Sequence, residues 1–237
     1  MSTRSERRRR REKQERALRI SDTPEQRRIT AYHESSHAVL AELCEFPVEY
    51  VTCLPSIASA NHPEALRARR MGAVLVKAGG TQLVLTDGAV PLPFPERSFF
   101  YILGRLASLP TEKRLGVSDE NAAASCSGDT EGVKQTMKLE TGDAEEDAKR
   151  AMMLFGVALL AGLFVCHTRV WQAIEQTAGL LLQKGKIQGE EVRQIVRQHI
   201  PEHIFFSEER QRNIWQEGGP PVAIMKALQE EQAKEAA

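Results

Sequence analysis

The chain has 237 residues with 32 basic and 32 acidic side chains, and 41% of its residues are apolar and 27% charged. That composition can bury a real core and excludes collagenous, mainly disordered and disulfide-scaffold classes. Its four cysteines, Cys44, Cys53, Cys126 and Cys166, form no C-x-x-C pair, which fits reduced thiols in a cytoplasmic protein, and no G-x-x-x-x-G-K-[ST] motif is present to make a P-loop motor.

The first twenty residues hold nine basic and three acidic side chains, a surplus of six that leaves the rest of the chain at minus six. A five-arginine run repels itself and adds nothing to a core, so residues 1–21 read as a disordered basic arm. The arm has no apolar segment and is not a secretory signal. Residues 4–19 either contact nucleic acid, an anionic surface or an acidic partner through counterion release, or stay solvated.

Residues 22–200 read as one domain. Asp22 or Thr23 can cap a helix, Pro24 and Glu25 suit its first turn, and the pattern continues to Cys44. VEYVTCLP (48–55), MGAVLVK (71–77) and TQLVLT (81–86) read as short strands, the last two around a glycine turn at Gly79 and Gly80. PLPFPE (91–96) is a loop, and RSFFYILGRLASL (97–109) a helix. A flexible Gly-Ser segment, SDENAAASCSGD (118–129), leads into the helix TEGVKQTMKL (130–139). The sixteen charge-free residues 151–166 make a helix about 24 Å long, short of a hydrocarbon core of roughly 30 Å, so they read as a buried core helix and no transmembrane span is expected. Trp171, Ile174, Ala178, Leu181 and Leu182 form the stripe of the next helix, and Gln188 or Gly189 opens the last one ahead of Glu190 and Glu191. Residues 201–237 read as a weakly patterned extension with a hinge at GGPP (218–221). The fold class is mainly α with a small β-sheet, α+β.

One motif carries chemistry. His33-Glu34-Ser35-Ser36-His37 is H-E-x-x-H inside the first helix. Residues four apart share a helix face, so both imidazoles can reach one metal ion while Glu34 sits to the side as a general base for a metal-activated water. Six histidines and 26 glutamates give about 0.02 such motifs by chance, so composition alone does not account for it.

ITAYHESSHAVLAE resembles the zinc helix of the FtsH-type peptidases (family M41), whose motif reads close to TAYHEAGHA. FFYILGRLASLPTEKRLG resembles that family's glycine-bearing middle helix, SGDTEGVKQTMKL the segment that donates an aspartate to zinc, and AGLLLQKGKIQGEEVRQIV the closing helix pair. The resemblance covers about residues 25–200, the peptidase domain alone. It implies an FtsH-peptidase-like helical bundle, Zn2+ held by His33, His37 and Asp129, and Glu34 as catalytic base.

Asp129 also suits the third position by residue type, since a carboxylate at a helix start after a flexible loop can swing to an ion; capping is its alternative role. Asp119, Glu120, Glu131, Asp143, His62, His167 and the softer Cys126 compete with it. Ser36 stands where the family has glycine. The family's ATPase domain and transmembrane helices have no counterpart in this sequence, so a stand-alone enzyme, fitting a bacterial or phage-encoded protein, would cleave unfolded or flexible polypeptides unless a separate ATPase unfolds them. Such domains form rings, which implies a homo-oligomer. An extended substrate is expected to pair with a sheet edge near Val48–Leu54 or Met71–Val76. The alternative is a catalytically silent zinc-binding regulatory or interaction module, recruited to nucleic acid by the arm.

Overall fold

The structure, a computed structural model, describes residues 23–44, 46–54, 56–57, 76–77, 80–83, 101–137, 142–200, 230 and 233. The basic arm, His62, the PLPFPE loop and all but two residues of the C-terminal extension lie outside them.

The described part is mostly helical with small antiparallel sheets. Helix α1 spans Pro24–Leu43; the Thr23 side chain accepts from the Gln26 amide at 3.2 Å, and Pro24 occupies the first turn. From Glu34 onward α1 is buried almost all round, because α2 (Ser108–Arg114), α6 (Thr168–Lys184) and α7 (Gly189–His199) close on it together with the sheet. Along α6, Ile174, Ala178 and Leu181 are fully buried as the stripe predicts.

Strand β1 (Val48–Thr52) is central in the order β4-β1-β5, between β4 (Gly80–Leu83) and β5 (Lys186–Gln188). Both of its edges are therefore occupied, which removes residues 48–52 as an edge for substrate. Beyond it, β2 (Ser56–Ile57) pairs with β3 (Val76–Lys77). Thr52 lies opposite Gly80 and Ser56 opposite Lys77. Strand β3 thus pairs with β2 and β4 with β1, and the two are not paired with each other as the sides of a glycine hairpin.

Two helices depart from expectation. Residues 119–125 are not a flexible loop: α3 (Asp119–Ser125) is capped by Ser118, is acidic in its first turn and carries three alanines of high helix propensity. Helix α4 (Ser127–Met137) follows at once. The apolar segment belongs to α5 (Ala144–Cys166), which is not the buried core helix expected. It packs on α6 and α2 through Val157, Leu160, Ala161, Phe164 and Val165, while Met152 and Phe155 remain 77% and 73% exposed. By length and composition α5 could cross a membrane, and 28% of its most apolar stretch is buried.

Two backbone details fix the closing elements. Gly185, with φ of 73°, ends α6 and turns the chain into β5. At Gly189 an added Cβ would stand 1.6 Å from the Val48 carbonyl oxygen, so only glycine lets α7 start against β1. Glu42 then ties three elements together: its buried carboxylate accepts from the Val48 amide at 2.8 Å and from Arg193 Nε at 3.0 Å. Burial pushes the Glu42 carboxyl above its ordinary value despite those partners. Replacing Arg193 by Met leaves that carboxylate buried without its cation. The expected loss is about 2–3 kcal/mol in urea unfolding, below the 3–5 of a fully buried pair because Arg193 is partly exposed and the Val48 amide remains.

Candidate metal centre

On α1, His33 and His37 are one turn apart and present their Nε2 atoms to one point, 3.1 Å from each other. Asp129 Oδ2 lies 3.2 Å from each of them. A metal bonded to three such donors at about 2.0–2.1 Å in a tetrahedral arrangement separates them by roughly 3.3–3.4 Å, so this triangle is within a few tenths of an ångström of a closed ligand set. The donors are 12%, 13% and 20% exposed, which leaves a side open to solvent. Asp129 is the third residue of α4, held at the positive end of that helix; it reaches the site as part of a helix and not by swinging on a loop.

The other nitrogens of the two rings settle their tautomers. His37 Nδ1–H donates to the Gly104 carbonyl at 2.8 Å, and His33 Nδ1–H to Glu112 Oε1 at 2.7 Å. Each Nε2 is thereby left with its lone pair toward the common point, the arrangement in which imidazole binds a metal. Both acceptors depend on an interruption in the chain. Residues 101–106 are helical, Ala107 is a turn, and α2 begins at Ser108. Pro110 causes the break, since its ring would clash with the carbonyl four residues earlier. Gly104 stands in the last turn before the break, where its carbonyl takes the Ala107 amide at 3.4 Å as well as His37, and Glu112 on α2 faces His33.

Glu112 is fully buried. Its Oε1 also accepts from Ser125 Oγ at 2.7 Å, and Cys126 Sγ lies 3.9 Å away. The Asp129 carboxylate is held from behind by Ser108 Oγ, 3.3 Å from Oδ2, and by Arg105 Nη1, 3.7 Å from Oδ1. Arg105 is fixed in turn by Tyr101, whose hydroxyl accepts from Nε at 2.8 Å. Ser36 turns its hydroxyl back to the His33 carbonyl at 2.7 Å, and so stays clear of the donors. Glu34 follows His33 on α1 and is 7% exposed.

Electrostatics favour a cation at this point. Burial lowers the His33 pKa, but Asp129, Cys126 and Glu112 outweigh burial and hold it well above its ordinary value. Burial works against the Asp129 anion, yet His37 and His33 outweigh it and keep the carboxyl far below the usual range.

The residues sequence reasoning brought forward divide cleanly. His33, His37 and Asp129 come together as one group that could hold a metal ion. Cys126 faces the opposite side of the His33 ring, where His33, Glu112 and Cys126 form a second, more buried group. Asp119 pairs with Lys113 at the surface, and Asp143 caps α5 through the Glu145 amide at 2.9 Å. Glu120 and Glu131 are exposed, and His167 is buried at the junction of α5 and α6. Glu112, Ser108 and Arg105 were missed. The signal for two of them was present but weak, since Ser108, Thr111 and Glu112 share one face of a helix at i, i+3 and i+4.

Two outcomes follow for metal binding. Replacing Glu112 by Gln keeps a hydrogen-bond acceptor but removes the charge behind His33, and zinc affinity measured by competition with a chelator falls about tenfold, the low end for such supports. The carboxylates beside His33 raise its pKa above the ordinary value, so a proton competes with the ion for Nε2 up to a higher pH than on a free imidazole. Zinc affinity, measured by competition with a chelator, should therefore fall as pH is lowered, and calorimetry in buffers of different ionisation enthalpy should show proton release on binding. No known family model matches the chain and no curated protein matches it significantly, so the donor geometry carries the assignment.

Proposed function

We propose that this chain is a zinc-dependent endopeptidase of the FtsH (M41) type, acting on unfolded or flexible polypeptides. The observation that carries the reading is the triangle of His33 Nε2, His37 Nε2 and Asp129 Oδ2, open on one side, with a glutamate directly after the first histidine.

Bound there, zinc supplies Lewis-acid activation of water and of the scissile carbonyl at neutral pH. Glu34 takes a proton from the attacking water on its carboxylate and delivers it to the amine nitrogen that leaves. The hydrogen bonds to Gly104 and Glu112 hold the Nδ1 protons and fix both rings with Nε2 toward the common point, while Ser108 and Arg105 keep the Asp129 carboxylate turned toward it. With β1 enclosed, the outer edge of β4, which packs against α1, is the strand edge we assign to an extended substrate. A separate ATPase would widen the range of substrates to folded proteins.

Glu34→Gln tests the reading directly. The variant should retain about one zinc per chain while casein cleavage falls by roughly 10²- to 10⁴-fold. Asp129→Ala should lose both metal and cleavage. A Glu34→Gln protein that cleaves like wild type overturns the mechanism, and a wild type that holds zinc but cleaves no unfolded substrate favours the silent binding module.

A further inference from the structure

Four side chains from three helices stack on one another at the surface near the start of α1. The Arg28 guanidinium lies 5.7 Å from the centre of the Tyr32 ring, Tyr32 is 5.7 Å from the Trp171 ring at an interplanar angle of 32°, and the Arg114 guanidinium stands 4.1 Å over Trp171. Both rings are half-buried against the core, while Arg28 and Arg114 are exposed. Among the described residues neither arginine pairs with a carboxylate. Arg114 donates to the Val165 carbonyl at 2.7 Å, and of the exposed acids nearest in sequence, Glu25, Asp119 and Glu175, Asp119 is taken by Lys113. Two positive charges on one pair of rings are thus left without a counter-charge.

We propose that this stack and the basic arm together form a binding face for single-stranded nucleic acid. The arm holds nine cations, five of them in the run Arg7–Arg11, and it leads directly into α1, of which Arg28 is the fifth residue. Its lysine and arginines neutralise phosphates whatever the sequence of the strand. Aromatic rings and guanidinium planes supply the flat surfaces on which unpaired bases stack. No aromatic residue precedes Tyr32 in the chain, so the arm alone has no stacking group. Folding supplies one by bringing Trp171 of α6 beside Tyr32. Arg28 ends the stack in solvent, where a base can lie on its guanidinium or take its place over Tyr32.

Other polyanions fit the same residues less well. A duplex keeps its bases stacked on each other and offers only phosphates to the rings. An anionic membrane needs an open apolar face beside the cations, and here each ring carries a guanidinium. Binding at this face needs no metal and stands apart from the peptidase chemistry.

The probe is a fluorescein-labelled oligothymidylate of about 20 nucleotides, titrated with the full-length chain and followed by anisotropy. Binding should be saturable, tighter than for a duplex of equal length, and weakened by salt. Changing Arg7–Arg11 together to Gln should lower the slope of log affinity against log salt by about three to four. Arg28→Ala and Tyr32→Leu should each weaken binding about five- to tenfold while moving that slope by less than about one. In a Trp215→Phe background the fluorescence of Trp171 should be quenched as the strand binds. Circular dichroism checks the fold of each variant, and if Tyr32→Leu disturbs it, Arg28→Ala and the quenching decide. A wild type that does not bind the strand at low salt overturns the proposal. So does binding that both stack variants leave unchanged, an unquenched Trp171, or a duplex bound as tightly. Attachment to phosphatidylglycerol vesicles that Tyr32→Leu weakens, with strand binding unaffected, assigns the face to a membrane and overturns it as well.

Discussion

Three polar side chains that would repel or ignore one another in water are held within 3.2 Å at one end of an apolar bundle, and the rest of the domain is arranged around that constraint. Desolvation penalises each of them, so the fold must supply compensating charge and hydrogen bonds. Glu34, Glu112 and Asp129 bring three carboxylates to the neighbourhood of two imidazoles, and Arg105 brings one guanidinium. With neutral imidazoles the balance is two negative charges, which a divalent cation neutralises. Without a metal, a proton on His33 partly takes that role, which is why the same carboxylates raise one pKa and the same imidazoles lower another.

The middle of the chain shows how one residue can organise such a site. Pro110 prevents a continuous helix from residue 101 to Arg114. On one side of the break the Gly104 carbonyl orients His37, and on the other Glu112 orients His33. At the break the Gly104 carbonyl takes a long bond from the Ala107 amide, 3.4 Å, and still accepts from His37. The glycine at 104 and the proline at 110 thus serve the histidines although neither touches the metal position.

What was legible in the sequence was local. The ligand pair lies four residues apart on a helix whose cap, first turn and length are written next to it, and Gln188 opens α7 through a capping box with Glu191. Asp129 was reached through resemblance and residue type. Its backbone setting was misjudged because serine and glycine outweighed three alanines in the reading of 118–129, while Ser118 in fact caps a helix there. Glu112 is 79 residues from His33, and no periodicity reports a contact across that separation. The sheet failed for a related reason: Gly80 opens β4 itself, and pattern alone does not separate a glycine within a strand from one in a hairpin turn. On α5 the composition was read correctly as helical and apolar, but burial depends on how many neighbours arrive, and only one side of this helix receives them.

The apolar face and the metal centre are joined through α2. Glu112 of α2 holds His33, and two residues on Arg114 holds the end of α5 through the Val165 carbonyl while its guanidinium lies 4.1 Å over the Trp171 ring of α6. A seven-residue helix of this kind has too few internal hydrogen bonds to hold its own orientation, so its position is set by what grips its two faces. On the inner face the grip is a buried carboxylate against imidazole and hydroxyl; on the outer face it is a cation against a helix end and an aromatic ring. Any load on the C-terminal end of α5 therefore reaches the residue that orients His33 through one helical turn, and the precision of the donor triangle rests on α5 being held as firmly as α1.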